Sequence, residues 1–191
     1  MRRIAGLMLL MLASLVLGLL SVGWMLNHEF VLDMMRSGPW RFSLQAAADP
    51  DPYRRARLVR SGGVTLALSE GLKLFATEDD DGHSLRPDCH YHIRGNVTPS
   101  RYWTLSIAKA QPQAETKATA RTGVTSSEVL RDKVGDWSLE LGPDVRAGVF
   151  LPVTGNAPFT LVLNLYEPSI LGGAAAISRD QLPHIRLEAC P

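Results

Sequence analysis

Three kinds of hydrophobic patterning follow one another along this chain. From Ile4 to Leu26 no charged side chain interrupts a run of Leu, Met, Val, Ala and Gly that Ser14 and Ser21 barely break. Such a run predicts a membrane helix. About 23 residues rising about 1.5 Å each give about 34 Å, enough for a hydrocarbon core of about 30 Å. Trp24 falls near the end of the run, where an indole rests among lipid headgroups. The run exceeds the roughly 7 to 15 apolar residues of a cleaved export signal and no Ala-x-Ala follows it, so residues 1–27 read as an uncleaved anchor. Either reading exports the remainder.

The second pattern is short and mixed. Residues 28–48 form a juxtamembrane segment in which Trp40, Phe42 and Leu44 alternate after a Gly38-Pro39 break, the signature of a short strand. One helix is expected next. Asp51 can cap it, Pro52 suits its first turn, arginines run to its C-terminal end and Gly62-Gly63 stops it.

Beyond residue 64 the period becomes two. Leu72, Leu74 and Ala76 share one side, as do Tyr91 with Ile93, then Trp103, Leu105 and Ile107. The pattern recurs at Trp137, Leu139 and Leu141, at Phe159 through Leu165, and at Ile185 with Leu187. Polar residues take the intervening positions in most of these runs, which predicts antiparallel sheets with one solvated face. Asp81-Gly82 is a turn signal, 111–121 lacks large apolar residues and reads as a surface loop, and 169–181, with Gly172-Gly173 and three alanines, reads as a second loop or a weak helix. The expected class is mainly β: an antiparallel β-sandwich of jelly-roll kind spanning 49–191, with one short helix and the N-terminal transmembrane helix.

Charge and cysteine content sharpen where this domain works. Of 20 basic side chains two, Arg2 and Arg3, precede the span, which leaves the remainder one short of the 19 acidic ones. No basic field exists for nucleic acid, and the patch Arg54, Arg55, Arg57 and Arg60 reads as a solvated helix face. Arg2, Arg3 and the terminal amine favour an inside N-terminus. Cys89 and Cys190 are the two cysteines, both in the exported part, and an even count in an oxidising compartment predicts a disulfide between them.

The chemistry on offer is sparse. There is no Gly-x-Ser-x-Gly elbow, no His-Glu-x-x-His and no phosphate-cradling Gly-Lys-Ser, so the common hydrolase and nucleotide routes lack their residues, and no cofactor is implied. His90 and His92, two apart on a strand, place both imidazoles on one face and could chelate zinc or copper, with Asp88 and His83 as further ligands. Asp79, Asp80 and Asp81 before Gly82 lack the spacing and the bidentate Glu of a calcium loop and read as a solvated turn. Trp103 and Trp137 read as core. Tyr102, on the opposite face from Trp103, forms with Arg101 and Arg94 the expected ligand surface.

Asp88, Cys89, Tyr91, Ile93 and Gly95, followed by Pro99, Arg101, Tyr102, Trp103, Thr104 and Leu105, resemble a signature of the bacterial domain of unknown function 1214 family. The Asp79 to Leu85 turn, Thr125-Ser126, Gly148 to Pro152, Leu165-Tyr166 with Pro168, and Leu182-Pro183 to Cys190 are similar to it as well. The resemblance covers about residue 38 to the end. It implies a β-sandwich, an envelope location, no established reaction and, by association, an envelope partner carrying another domain of unknown function. Val149 and Phe150 after Gly148, Asn164 before Leu165-Tyr166, and Ala108-Lys109 depart from the family's usual residues and remove polar positions that similar chains keep. The first expectation is therefore a protein of the bacterial inner membrane, held in the bilayer by residues 4–26, whose periplasmic domain is a non-enzymatic binding or interaction module. The alternative is an envelope enzyme with a weak metal site near His90 and His92.

Overall fold

A computed structural model describes residues 2–27, 35–43, 66, 70–95, 100–109, 121–168 and 177–191. The helix expected from Asp51, Leu44 in the first strand, and most of the two expected loops lie outside the described residues.

The apolar run is a single helix, α1, spanning Arg2–Asn27. Its Leu and Met side chains from Leu7 to Leu20 are exposed, so no described part of the protein core covers them. A helix apolar all round needs apolar surroundings, and among the described residues this is the one helix long and apolar enough to cross a membrane.

The remainder is mainly β. In chain order the strands are β1 (Met35–Ser37), β2 (Trp40–Phe42), β3 (Gly71–Ala76), β4 (His90–Gly95), β5 (Ser100–Lys109), β6 (Gly123–Thr125), β7 (Trp137–Gly142), β8 (Phe150–Pro152), β9 (Phe159–Pro168) and β10 (His184–Ala189). They form a six-stranded sheet in the order β1-β2-β3-β9-β5-β6 and a four-stranded sheet in the order β10-β4-β7-β8. A 3-10 turn, Arg179–Gln181, precedes β10, and the Gln181 side chain accepts the Ser178 backbone N–H there at 3.1 Å.

Period two decides what is buried. Leu74, Leu163, Leu105 and Val124 stand in one cross-strand row of the six-stranded sheet, all of them buried. Tyr91, Ile93, Leu139, Leu141, Leu151 and Ile185 fill the corresponding face of the four-stranded sheet and belong to the same core cluster. Trp103 of one sheet stacks on Trp137 of the other with ring centroids 4.5 Å apart, and Tyr91 meets Phe159 edge-on at 6.1 Å. The buried Trp40 indole N–H donates to the Pro183 carbonyl at 2.8 Å, joining β2 to the approach of β10.

Two features depart from a simple antiparallel reading. The turn at Asp81-Gly82 is present, with Gly82 at φ +88° and Glu78 bridged to Ser84, yet β3 before it and β4 after it join different sheets. β8 runs parallel to β7 although only residues 143–149 connect them, and the pairing is three residues long, Glu140 to Gly142 against Phe150 to Pro152. A connection so short cannot build a full parallel crossover. Finally, Cys89 and Cys190 form a disulfide that links the start of β4 to the residue after β10.

Candidate functional site on the outer face of the four-stranded sheet

Alternation that buries Tyr91 and Ile93 turns His90, His92 and Arg94 outward on β4. The register then decides their neighbours: Arg186 of β10 and Glu140 of β7 flank His92, while His184 and Ser138 flank Arg94. This produces a charged outer face. A groove of about 280 Å³ in it is lined by His92, Arg94, Gly95, Asp136, His184 and Arg186.

The groove's cations differ in how far they are engaged. His184 Nδ1 lies 3.0 Å from Asp80 Oδ2, and Arg179, which also pairs with Asp80, sits 2.8 Å from the same ring nitrogen. Arg94 faces Asp136 at 3.6 Å and Asp132 at 3.8 Å, within ion-pair range but beyond hydrogen-bond reach. The Asp132 carboxylate is committed elsewhere, accepting the Val134 and Asp136 backbone N–H groups at 2.9 Å each. Arg186 has no ion pair or hydrogen bond among the described residues. Counting Arg94, Arg186 and Asp136, the lining carries a formal charge of plus one with its histidines neutral.

At the other end of the face, His92 Nδ1 lies 2.5 Å from Glu140 Oε1 and 4.0 Å from Glu188 Oε1, and the three ligand atoms all fall within 4.8 Å of one another. Glu140 Oε2 is buried without a hydrogen-bond partner among the described residues, and Arg146 pairs with Glu188 at the rim. His90 is not part of this group. Its ring rests on Gly142, where an added Cβ would collide with the imidazole, and its Nδ1 is buried and unbonded among the described residues. Of the other expected ligands, Asp88 forms a forked pair with Arg86 at 3.1 and 2.5 Å, and His83 lies by Asp79 on the β3–β4 connection.

Arg101 and Tyr102 belong to β5 of the six-stranded sheet, so Arg94 does not share a surface with them. Tyr102 is 38% exposed and lies 5.8 Å from Tyr166 between ring centroids, and Arg101 pairs with Glu167 at 3.3 Å. Farther across that sheet burial pulls the Lys73 ammonium below its usual range. Under the four-stranded sheet, burial raises the Tyr91 phenol, whose oxygen accepts the Arg86 backbone N–H at 2.8 Å.

Sequence reasoning found His92 and Arg94 but missed Glu140, Glu188, His184, Arg186 and Asp136. Glu140, His184 and Arg186 sit at strand positions next to core residues, a visible signal, whereas Glu188 lies between Leu187 and Ala189, both exposed, so the expected inward face of β10 ends at Ile185. What one sequence withholds is that β10 and β7 flank β4, since strand order depends on long-range pairing.

Two sheets sharing one core behind an N-terminal apolar helix define a mainly β protein with a candidate membrane span. The chain belongs to the family described as protein of unknown function (DUF1214), whose model matches residues 70–170. Among solved structures it is similar to the VPA0106 protein from Vibrio parahaemolyticus, at 19% identity and a TM-score of 0.54 over 77% of this chain. It is also similar to an uncharacterized protein from Burkholderia cenocepacia, at 14% identity and a TM-score of 0.45 over 89% of this chain. The chain spans 38% of the length of the first and 41% of the second. The likeness to the Vibrio protein bears on the fold alone. No curated protein matches the sequence.

Proposed function

We propose that this chain is a single-pass protein of the bacterial inner membrane, anchored through residues 4–26. Residues 28–48 are its juxtamembrane segment and 49–191 one periplasmic β-sandwich domain of jelly-roll kind. The domain acts as a non-enzymatic binding module whose groove takes a small carboxylate- or phosphate-bearing anion. Tyr102 and Arg101 on the other sheet offer a contact for an envelope partner. An oxidising compartment is supported by the disulfide, and anchoring by a helix whose apolar side chains meet no described part of the core.

The anion is carried by one observation: a groove of about 280 Å³ holds two guanidinium groups, Arg94 and Arg186, whose donors are not consumed by hydrogen bonds to carboxylates among the described residues. A guanidinium fork matches a carboxylate or phosphate, and charge-assisted bonds in a concave site are the stronger kind. The test is calorimetric titration of detergent-purified protein with inorganic phosphate and small mono- and dicarboxylates. At least one is expected to bind, and Arg94→Ala with Arg186→Ala to weaken it about tenfold or more at unchanged melting temperature. Equal binding by that double variant, or no binding of any anion in the set, would refute this reading.

A second reading rests on the group His92, Glu140 and Glu188, whose spacing suits a divalent ion. It keeps His92 from the pair His90 and His92 as a ligand and supplies an envelope enzyme with a weak metal site. His92→Ala and Glu140→Gln should then each abolish metal retained after purification without chelator. Retention of the metal in both would exclude it.

A further inference from the structure

The β3–β4 turn holds a second set of metal-ligating side chains, far in sequence from the groove's acidic residues. Asp79 is 1% exposed, the one buried charged residue among those described. Its Oδ1 accepts the backbone N–H groups of Asp81 at 3.0 Å and His83 at 2.8 Å, so this oxygen shapes the turn. Its Oδ2 is buried with no hydrogen-bond partner among the described residues and lies 3.5 Å from His83 Nδ1. A buried carboxylate oxygen left without a donor is costly, and a cation is the usual remedy.

The other two side chains are placed by the same turn. Asp81 and His83 are two apart and exposed, and one ligand atom from each lies within 4.8 Å of the others and of Asp79. The Asp81 carboxylate has no partner of its own among the described residues. Asp80 between them turns away, toward Arg179, His184 and the Ile185 backbone N–H, and so fixes the back of the turn to β10. Two ligands each about 2.0 to 2.1 Å from a tetrahedral ion stand about 3.3 Å apart, close to the separation of Asp79 Oδ2 and His83 Nδ1.

We propose that Asp79, Asp81 and His83 form a site for a zinc-like divalent cation, with one buried carboxylate, one exposed carboxylate and one imidazole as ligands and the remaining position open to water. The imidazole selects against calcium and magnesium, which take oxygen. Asp79 serves twice: Oδ1 orders the backbone that presents the other two ligands, and Oδ2 is itself a ligand, an orienting arrangement common around protein metals. Bound metal would brace the turn against the C-terminal strand that Asp80 holds.

The test uses full-length protein, stripped with chelator in detergent, then titrated with zinc by equilibrium dialysis and followed by thermal melting. One equivalent is expected to bind at this turn and raise the melting temperature. Asp81→Asn and His83→Ala, both at exposed side chains, should weaken that binding about tenfold or more. Asp79→Asn, which keeps the oxygen that orders the turn, should weaken it likewise without lowering the metal-free melting temperature. His92→Ala should leave it unchanged, which separates this site from any ion on the four-stranded sheet. Absence of zinc binding, or zinc binding that survives Asp81→Asn and His83→Ala, would overturn the proposal.

Discussion

Replacing Cys89 and Cys190 together by alanine should lower the unfolding free energy by about 3 to 5 kcal/mol. The bridge joins residues 101 apart in sequence. In the chain-entropy model a closed loop of about 100 residues removes up to about 4.7 kcal/mol of denatured-state freedom, and native strain can only reduce that figure. The effect falls mainly on the unfolded chain, so the folded sheets should keep their far-ultraviolet signature while the denaturant midpoint moves. Cys89 is fully buried at the start of β4 and Cys190 follows β10, so the loop encloses every strand from β4 to β10. Few positions in the chain could close so much of the domain at once. Equilibrium denaturation of the oxidised protein and the double variant is the check, and a difference under about 1 kcal/mol would show the bridge to be incidental.

Truncating Trp103 to alanine is expected to cost about 3 to 5 kcal/mol. Its ring is 2% exposed and stacked on Trp137, so the substitution opens a cavity where the two sheets meet. The Trp103 Nε1 has no hydrogen-bond partner among the described residues, which makes packing its contribution. Trp103→Phe should therefore recover much of the loss, since it forfeits no hydrogen bond and leaves a smaller void. Its neighbour Tyr102, one position along and facing outward, should tolerate alanine within about 1 kcal/mol. The contrast between adjacent residues is read from denaturant midpoints of the three variants, and a loss at position 102 equal to or larger than that at 103 would refute the assigned faces.

That contrast was legible in the alternation itself. Trp103, Leu105, Trp137, Leu139, Leu141 and the Leu161 to Leu165 series all read as buried from period two, and all are buried. A strand with one wet face writes its orientation into the sequence. The three-residue strands β1, β6 and β8 were missed because three residues carry too little periodicity to rise above a loop. Sheet membership was hidden for another reason. The Asp81-Gly82 turn suggests that its flanking strands pair, yet β3 sits beside β9 and β4 beside β10, choices settled by packing across the whole core.

The site followed the same division. His92 and Arg94 were visible as outward residues of β4, and Cys89 with Cys190 as a pair. His90 seemed equivalent to His92 because strand alternation gives both one side. Their partners differ: Glu140 stands opposite His92, whereas the His90 ring occupies the space that a Cβ on Gly142 would take. The two carboxylates by His92 come from β7 and β10, and nothing local in either segment announces that they meet.

The proposed topology, with one N-terminal helix holding the β domain on the outer side of the inner membrane, makes a direct cellular prediction. The check is protease treatment of spheroplasts made from bacteria expressing the chain with an N-terminal tag. The domain is expected to be digested while the cells stay sealed, and the tagged α1 fragment to stay with the membrane through an alkaline carbonate wash. Full-length protein that is protected until lysis, or released with the soluble fraction, would rule out this topology.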